Sequence, residues 1–236
     1  MTPLATALAQ RSTPLDIFFR DDDAGWAMPE LDAMLEVFVR HACPVDLAVI
    51  PATLDHPVAR RLNHWRETHT RIGLHQHGYA HVNHAAAPDR KSEFPNARPL
   101  DRQCADIMIG RNCMAAMLGE TDAIFTPPWN RCAPQLLPRL GEMGFAVFSD
   151  DGAADDCDGL VMLPISLDWD RARRNGRLGA DLAKLVAEAT GPVGIMLHHE
   201  TLDDAARATL GDTLGLLANH DKIRCRSMRH WMGDRV

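Results

Sequence analysis

Residues 16–25 read DIFFRDDDAG, an apolar run that ends in an arginine and three consecutive aspartates. A short continuous apolar run is typical of a strand covered on both faces, as the strands of a parallel sheet are. Three adjacent carboxylates repel one another, and one would suffice to cap a following helix, so we expect them to have a functional role beside a cation. The alternative is that they only solvate a turn and favour a helix N-terminus.

Short apolar segments alternate with helical patterns along the rest of the chain. Strands are predicted at 16–20, 45–50, 71–77, 123–126, 145–149, 160–166, 192–199 and 223–228. Helices are predicted at 28–38, 56–69, 100–119, 134–143, 180–190 and 203–219, with a long loop at 85–99. This alternation predicts a parallel sheet, and its regularity favours a barrel over an open sheet, for which no GxGxxG turn is present. We therefore predict an α/β fold with one barrel domain over residues 1–236.

The composition is that of an ordinary globular protein. Of the 236 residues, 46% are hydrophobic and 24% charged, with 25 Lys+Arg against 32 Asp+Glu, a net charge of −7. The acidic balance argues against nucleic acid as a partner, and no apolar run approaches the roughly 20 residues that cross a bilayer. The first ten residues lack the features of a secretory signal, and the six cysteines show no CxxC pair, so we expect reduced thiols and a cytoplasmic location. The oligomeric state is left open.

Polar residues cluster where the predicted strands end. The clusters are Asp21–Asp23, His77 with His81, Pro127–Trp129, Asp150–Asp151, Asp168–Asp170 and His198–Glu200. In a parallel barrel all strand C-termini open on one face, and that face carries the active site. We therefore expect residues that are far apart in sequence to meet at one rim.

The pair His77 and His81 is weak evidence alone, because a chain with 12 histidines contains about 0.6 HxxxH pairs by chance. A carboxylate at a neighbouring strand end changes the interpretation, since two imidazoles and one carboxylate are a standard set for a catalytic divalent metal. Without it, surface or core histidines are the simpler interpretation. Pro128 and Trp129 are either a rigid turn with a packed indole or a stiff wall that offers an aromatic platform at the site.

Taken in order, these motifs resemble those of the polysaccharide deacetylases of the NodB-homology fold, metal-dependent amide hydrolases on a distorted (β/α)7 barrel. The resemblance covers five motifs over residues 17–199. It implies that Asp22 is the catalytic base and Asp23 a metal ligand, with Asp21 as the alternative if the register slips by one. It also implies that His77 and His81 are the other two ligands.

The last two motifs supply the remaining roles. An apolar strand that ends in a histidine carries the general acid, which the resemblance places at His198, with His199 as the alternative. By alternation one of these two points into the barrel mouth and the other outward. An aspartate beside a tryptophan, here Asp168 and Trp169, matches the fourth motif loosely and implies a supporting role.

Two positions depart from the family pattern. Gly78 replaces a hydroxyl residue that helps to set the loop between the two ligand histidines. Thr126 stands where the family has an arginine that orients the base. Arg20 or Arg131 could take over that role, and the sequence does not distinguish them.

The resemblance implies hydrolysis of an acetamide with a bound divalent metal, zinc by default, although cobalt, nickel or iron suits the same ligands. The substrate is then an N-acetylated carbohydrate or another small amide. Two alternatives stay open: a catalytically silent relative that binds metal or carbohydrate, and a metal-free barrel enzyme that uses paired carboxylates.

Overall fold

A curled parallel sheet forms the centre of the molecule in the computed structural model, which describes residues 2–152 and 157–233. Its strands are β1 Leu15–Ala24, β2 Val45–Val49, β3 Ile72–His77, β4 Asp122–Thr126, β5 Val147–Phe148, β6 Val161–Met162, β7 Leu167–Asp168, β8 Val193–His198 and β9 Ile223–Cys225. They are ordered β6-β5-β4-β3-β2-β1-β8-β7, with β9 paired to β1, and each of these ladders is parallel. The predicted α/β architecture, a distorted barrel of parallel strands, is confirmed.

Eight α-helices accompany the sheet within the described ranges. They are α1 Pro3–Gln10, α2 Met28–Arg40, α3 His56–Thr68, α4 Leu100–Leu118, α5 Leu136–Glu142, α6 Trp169–Arg174, α7 Leu178–Glu188 and α8 Asp204–Ala218. The six predicted helices agree with the structure to within two residues at each end, whereas α1 and α6 were not predicted. Among the described residues no helix has the length and apolarity that a membrane span needs. The predicted loop at 85–99 contains no helix or strand.

The single strand predicted at 160–166 is wrong, and the reason lies in how the barrel closes. The segment pairs with β5 as β6 and then, five residues later, with β8 as β7. Between them Ile165 donates its N–H to the Asp150 carbonyl and Ser166 donates to the Gly194 carbonyl. One stretch of chain thus crosses from one end of the sheet to the other, so two short strands replace one long one. Pro164, which has no N–H to donate, lies at the crossing.

Two other predicted strands are longer than the observed ones. β5 covers only Val147–Phe148 of the predicted 145–149. β9 ends at Cys225, and the last backbone contact with β1 is from Arg226 N to the Ile17 carbonyl. The chain then turns, because Ser227 Oγ and Met228 N donate to the buried carboxyl group of Asp46. Conversely β1 continues to Ala24, so the three aspartates belong to the strand instead of following it.

Alternation along β1 separates the core from the site. Phe19 belongs to the core between sheet and helices and makes an edge contact with Phe38 of α2. Phe18, on the opposite face, packs in a second cluster inside the barrel with Met228. Arg20 and Asp22 continue that inner face toward the strand's carboxyl end, because side chains two apart share a face. The inner face of β1 is therefore apolar at one end of the barrel and charged at the other.

Candidate metal and catalytic site

The three consecutive aspartates point in three directions because β1 is irregular at its end. The register between β1 and β2 shifts between Asp21 and Ala24, and Asp23 adopts a left-handed backbone with φ 67°. Strict alternation would place Asp21 and Asp23 on the same face. The irregularity instead turns Asp23 to the mouth, where a bulge commonly re-aims a side chain beside an active site. The mutual repulsion expected from the sequence is relieved by giving each carboxylate its own partners.

Asp23 meets the two predicted ligand histidines. Its Oδ1 lies 3.3 Å from His77 Nε2 and 3.1 Å from His81 Nε2, and the three ligand atoms all lie within 4.8 Å of one another. His81, like Asp23, has a left-handed backbone, with φ 56°. Non-glycine residues in this region are strained, and such strain concentrates at functional sites. The structure thus brings Asp23, His77 and His81 together, as predicted.

The donor set of this cluster suits a divalent cation. The Nδ1 of His77 lies 3.1 Å from the Thr126 carbonyl oxygen, and donating to it leaves the neutral ring with a lone pair at Nε2. That lone pair faces the buried Oδ1 of Asp23, which accepts no hydrogen bond from a described residue. Two acceptors that face each other at this distance are compatible with a cation between them, and the carbonyl contact is the usual way to fix a ligand imidazole.

The ionisation of Asp23 fits the same role. Burial alone would raise the pKa of its carboxyl group, but the imidazoles of His77 and His81, when protonated, outweigh burial and hold the pKa well below its usual range. Asp23 is therefore a carboxylate at neutral pH, which is the form that binds a metal.

Asp22, the predicted base, is held by Arg20. The guanidinium donates to both carboxylate oxygens, at 2.8 and 2.9 Å, and the pair is almost completely buried. Arg20 is fixed in turn by Ser149 Oγ at 2.8 Å and Asn130 Oδ1 at 2.5 Å. Burial would raise the pKa of Asp22, but Arg20 first, and then His77 and His198, lower it below its usual value. Asp22 is therefore an ionised proton acceptor at the mouth of the barrel.

The structure distinguishes the two arginines that the sequence left open. Arg20 contacts Asp22, whereas the guanidinium of Arg131 makes an exposed 3.4 Å contact with the Lys91 carbonyl. The prediction that Arg131 could support the base is therefore wrong. Thr126, at the position where the arginine was expected, instead bonds the buried His75 at 3.0 Å.

His198 is the histidine that faces the mouth. It pairs in register with Asp22, and its Nε2 lies 4.0 Å from Asp23 Oδ2. Its Nδ1 lies 3.7 Å from the buried carboxylate of Asp170, an ion-pair distance longer than a hydrogen bond. Burial would lower the pKa of His198, but Asp170 and then the three aspartates of β1 raise it to about 9. Among the protein's own groups, these carboxylates keep His198 protonated at neutral pH.

His199, the alternative acid, points away from the mouth. Its backbone N–H and Nδ1 contact the two oxygens of Asp21 at 2.9 and 2.7 Å, and its Nε2 lies 3.0 Å from the Trp26 carbonyl oxygen. Both ring nitrogens are thus engaged inside the fold. Asp21 and His199 tie the end of β8 to β1, so neither alternative, Asp21 as a member of the catalytic aspartate pair or His199 as the acid, agrees with the structure.

Two indoles flank His81 at the rim. Its ring centroid lies 4.3 Å from that of Trp129 and 5.1 Å from that of Trp26, which is partly exposed. Trp129 is held in a left-handed turn, with φ 57°, directly after the buried Pro128. The structure thus places Pro128 and Trp129 beside the candidate metal cluster, which is the position that the wall interpretation predicts.

The fourth motif was placed two residues too early. Asp168 caps α6 by accepting from Arg171 N at 2.9 Å, and Trp169 is fully buried in the core, so neither of these two side chains is the one that contacts His198. Asp170, the other aspartate beside that tryptophan, is the one that reaches His198. The helix α6 was not predicted, and without it the direction of each side chain could not be assigned. Asn130 was also missed, although it directly follows the wall residue Trp129.

Known structures share this fold. No protein-family profile matches the chain, and no curated protein matches it by sequence. A structure of a putative polysaccharide deacetylase from Mycobacterium smegmatis superposes with a TM-score of 0.69 at 15% identity, covering 94% of this chain and 90% of that one. A family 4 acetyl xylan esterase from Clostridium thermocellum, in complex with cobalt, gives 0.56 at 15% identity, covering 92% and 89%.

A third similar structure is a mutant of a CE4-family pseudoenzyme with restored enzymatic activity, at a TM-score of 0.64 and 12% identity, covering 94% of this chain and 68% of that one. The chain therefore has the fold of the CE4 polysaccharide deacetylases, and the resemblance stated from the motifs is confirmed at the level of the fold.

Proposed function

We propose that this protein is a metal-dependent hydrolase that removes the acetyl group from an N-acetylated carbohydrate. The observation that carries the proposal is the convergence of three functional groups at one rim. A two-histidine, one-carboxylate cluster, an arginine-bound carboxylate and a carboxylate-paired histidine all lie at the carboxyl ends of β1, β3 and β8. This is the face on which barrel enzymes carry their chemistry.

Asp23, His77 and His81 would hold the cation, with zinc the default and cobalt, nickel or iron suited to the same donors. A divalent cation bound there supplies Lewis acidity, which lowers the pKa of water and polarises a carbonyl. Asp22, ionised and oriented by Arg20, accepts the proton of the attacking water.

His198 has the complementary role on the same rim. Its raised pKa keeps the imidazolium populated at neutral pH, and it donates that proton to the amine nitrogen as the carbon–nitrogen bond breaks. Acetate and a free amine are the products. Asp170 holds the acid by its ring nitrogen Nδ1, which leaves Nε2 toward the mouth.

The aromatic residues at the rim favour a sugar as the part of the substrate that carries the acetamide group. Trp129 and Trp26 present aromatic surface next to His81, and aromatic side chains combine an apolar face with a polar edge. The arginine missing from the third motif was the reason to consider a catalytically silent relative. Arg20 makes the contact with Asp22 that this arginine would make, which favours an active enzyme. The proposal differs from the metal-free alternative in requiring a cation.

The test is acetate release from N-acetylated sugars by protein loaded with zinc or cobalt, compared with the chelated protein. O-acetylated xylan serves as a second substrate, because one structurally similar protein is an acetyl xylan esterase. Asp22→Asn should abolish acetate release while metal stays bound. Asp168→Asn also removes one negative charge, but outside the cluster, and should leave acetate release intact. Metal binding without acetate release from any of these substrates would favour the silent relative, and activity that survives chelation would favour the metal-free enzyme.

A further inference from the structure

The loop that carries His81 begins at Gly78, and its backbone is tied down at each residue. Gly78 N donates to the Thr126 carbonyl at 3.0 Å, and the Tyr79 carbonyl accepts from Ala52 N at 2.9 Å. The N–H groups of Tyr79 and Ala80 are bound by one side chain, that of Glu93. Each N–H group donates to a different oxygen of Glu93: Tyr79 N to Oε2 at 3.1 Å and Ala80 N to Oε1 at 2.7 Å.

Glu93 occupies the space that a side chain at position 78 would need. A Cβ added to Gly78 would lie 2.2 Å from Glu93 Oε2 and 2.5 Å from Pro128 Cδ, so any larger residue there would displace one of them. Gly78 also has φ +55°, which a glycine adopts at no steric cost. The glycine, the glutamate and the proline wall are therefore mutually dependent parts of one local structure.

The position of Glu93 is itself well determined. It is buried, although it lies in the long loop at 85–99. Its neighbour Ser92 donates from Oγ to the Arg131 carbonyl and accepts from Phe94 N, both at 3.1 Å. The segment that presents the carboxyl group is thus anchored next to the turn that carries Pro128 and Trp129. Glu93 connects this segment to the loop at residues 78–81, which carries His81.

We propose that Glu93 is a positioning residue for the metal site: it holds residues 78–80 so that His81 keeps its left-handed backbone and faces Asp23. Directly after Ala80 the chain enters the strained conformation of His81, which persists only where the surroundings over-determine it. The two hydrogen bonds from Glu93 supply that constraint immediately before the ligand. The inference rests on the proposed function in one respect, namely that the cluster binds a metal.

The experiment measures metal affinity directly, by titrating the metal-free protein with Zn²⁺ and with Co²⁺ and following heat and visible absorption. Glu93→Ala should weaken the affinity by about 10- to 100-fold, the range typical for partners that orient metal ligands. Glu93→Gln keeps the volume but offers one acceptor oxygen where there were two, so its affinity should lie between those of Glu93→Ala and the wild type. Asp89 is an exposed carboxylate in the same loop, and Asp89→Asn, which removes one negative charge as Glu93→Gln does, should bind metal like the wild type.

The outcomes are separable. A merely structural role would lower the thermal midpoint of Glu93→Ala and Glu93→Gln but leave the metal affinity of the folded protein within about twofold of wild type, and this would overturn the proposal. Wild-type protein that binds metal but releases no acetate would overturn the proposed reaction alone. Wild-type protein that binds neither Zn²⁺ nor Co²⁺ would overturn both.

Discussion

Substitution of Arg20 should separate the stability of this site from its chemistry. The guanidinium is completely buried and donates to both oxygens of Asp22, to Ser149 and to Asn130. Arg20→Gln leaves the Asp22 carboxylate buried without its cation. Removing one partner of a buried ion pair costs about 3–5 kcal/mol, against a total free energy of unfolding of about 5–15 kcal/mol for a natural protein. The variant should therefore fold, but with a clearly lower unfolding free energy.

The same substitution should act on the base. Burial already favours the neutral form of Asp22, and Arg20 is the largest of the groups that oppose it. Without Arg20 the pKa of Asp22 rises, so a smaller fraction of the group is ionised and able to accept a proton at neutral pH. The acetate-release rate should fall by about 10²–10⁴-fold, the usual contribution of a general base, and the acid limb of the rate profile should move to higher pH.

Arg20→Lys provides the matched intermediate. It keeps the positive charge but cannot make the bidentate contact, so it should lose less stability than Arg20→Gln while still losing rate. Stability is measured by urea unfolding followed by circular dichroism, and rate by acetate release over a range of pH. Arg131→Gln is the control, because Arg131 does not contact Asp22 in the structure. If Arg131→Gln lost the activity and Arg20→Gln kept it, our assignment of the base's partner would be refuted.

Three further predictions follow from other groups. His77→Ala and His81→Ala should each abolish stoichiometric metal binding in a zinc titration, and retention of one tight equivalent by either variant would contradict the ligand set. Asp170→Asn should lower the raised pKa of His198, so the alkaline limb of the rate profile should move to lower pH; an unchanged limb would exclude this pairing. Burial raises the pKa of Asp46 from 3.8 to about 7, so the folded protein loses about 4 kcal/mol of stability from this group as pH rises across that interval. Asp46→Asn should remove that dependence, which is checked by measuring the unfolding free energy in urea at both ends of the interval. If the variant lost as much stability across the interval as the wild type, the prediction would be contradicted.

Much of the architecture could be predicted from local patterns. Helix and strand periodicities are written in neighbouring residues, which is why six helices agree to within two residues. The order of polar clusters at strand ends was enough to place Asp23, His77 and His81 at one rim, because parallel strands direct their carboxyl ends the same way. The split of 160–166 into β6 and β7 could not be predicted, since it depends on which strands the segment meets.

The amino-acid sequence alone determined the class of fold and the set of residue types from which the site is built. Only the tertiary structure decided which member of each set lies at the candidate site: Arg20 over Arg131, His198 over His199 and Asp170 over Asp168. It also added the contact between Glu93 and the loop at residues 78–81. The physical reason is that the direction of a side chain at a strand end depends on local irregularities, such as the left-handed backbone of Asp23, and on partners more than a hundred residues away. Neither is encoded in the spacing of a motif.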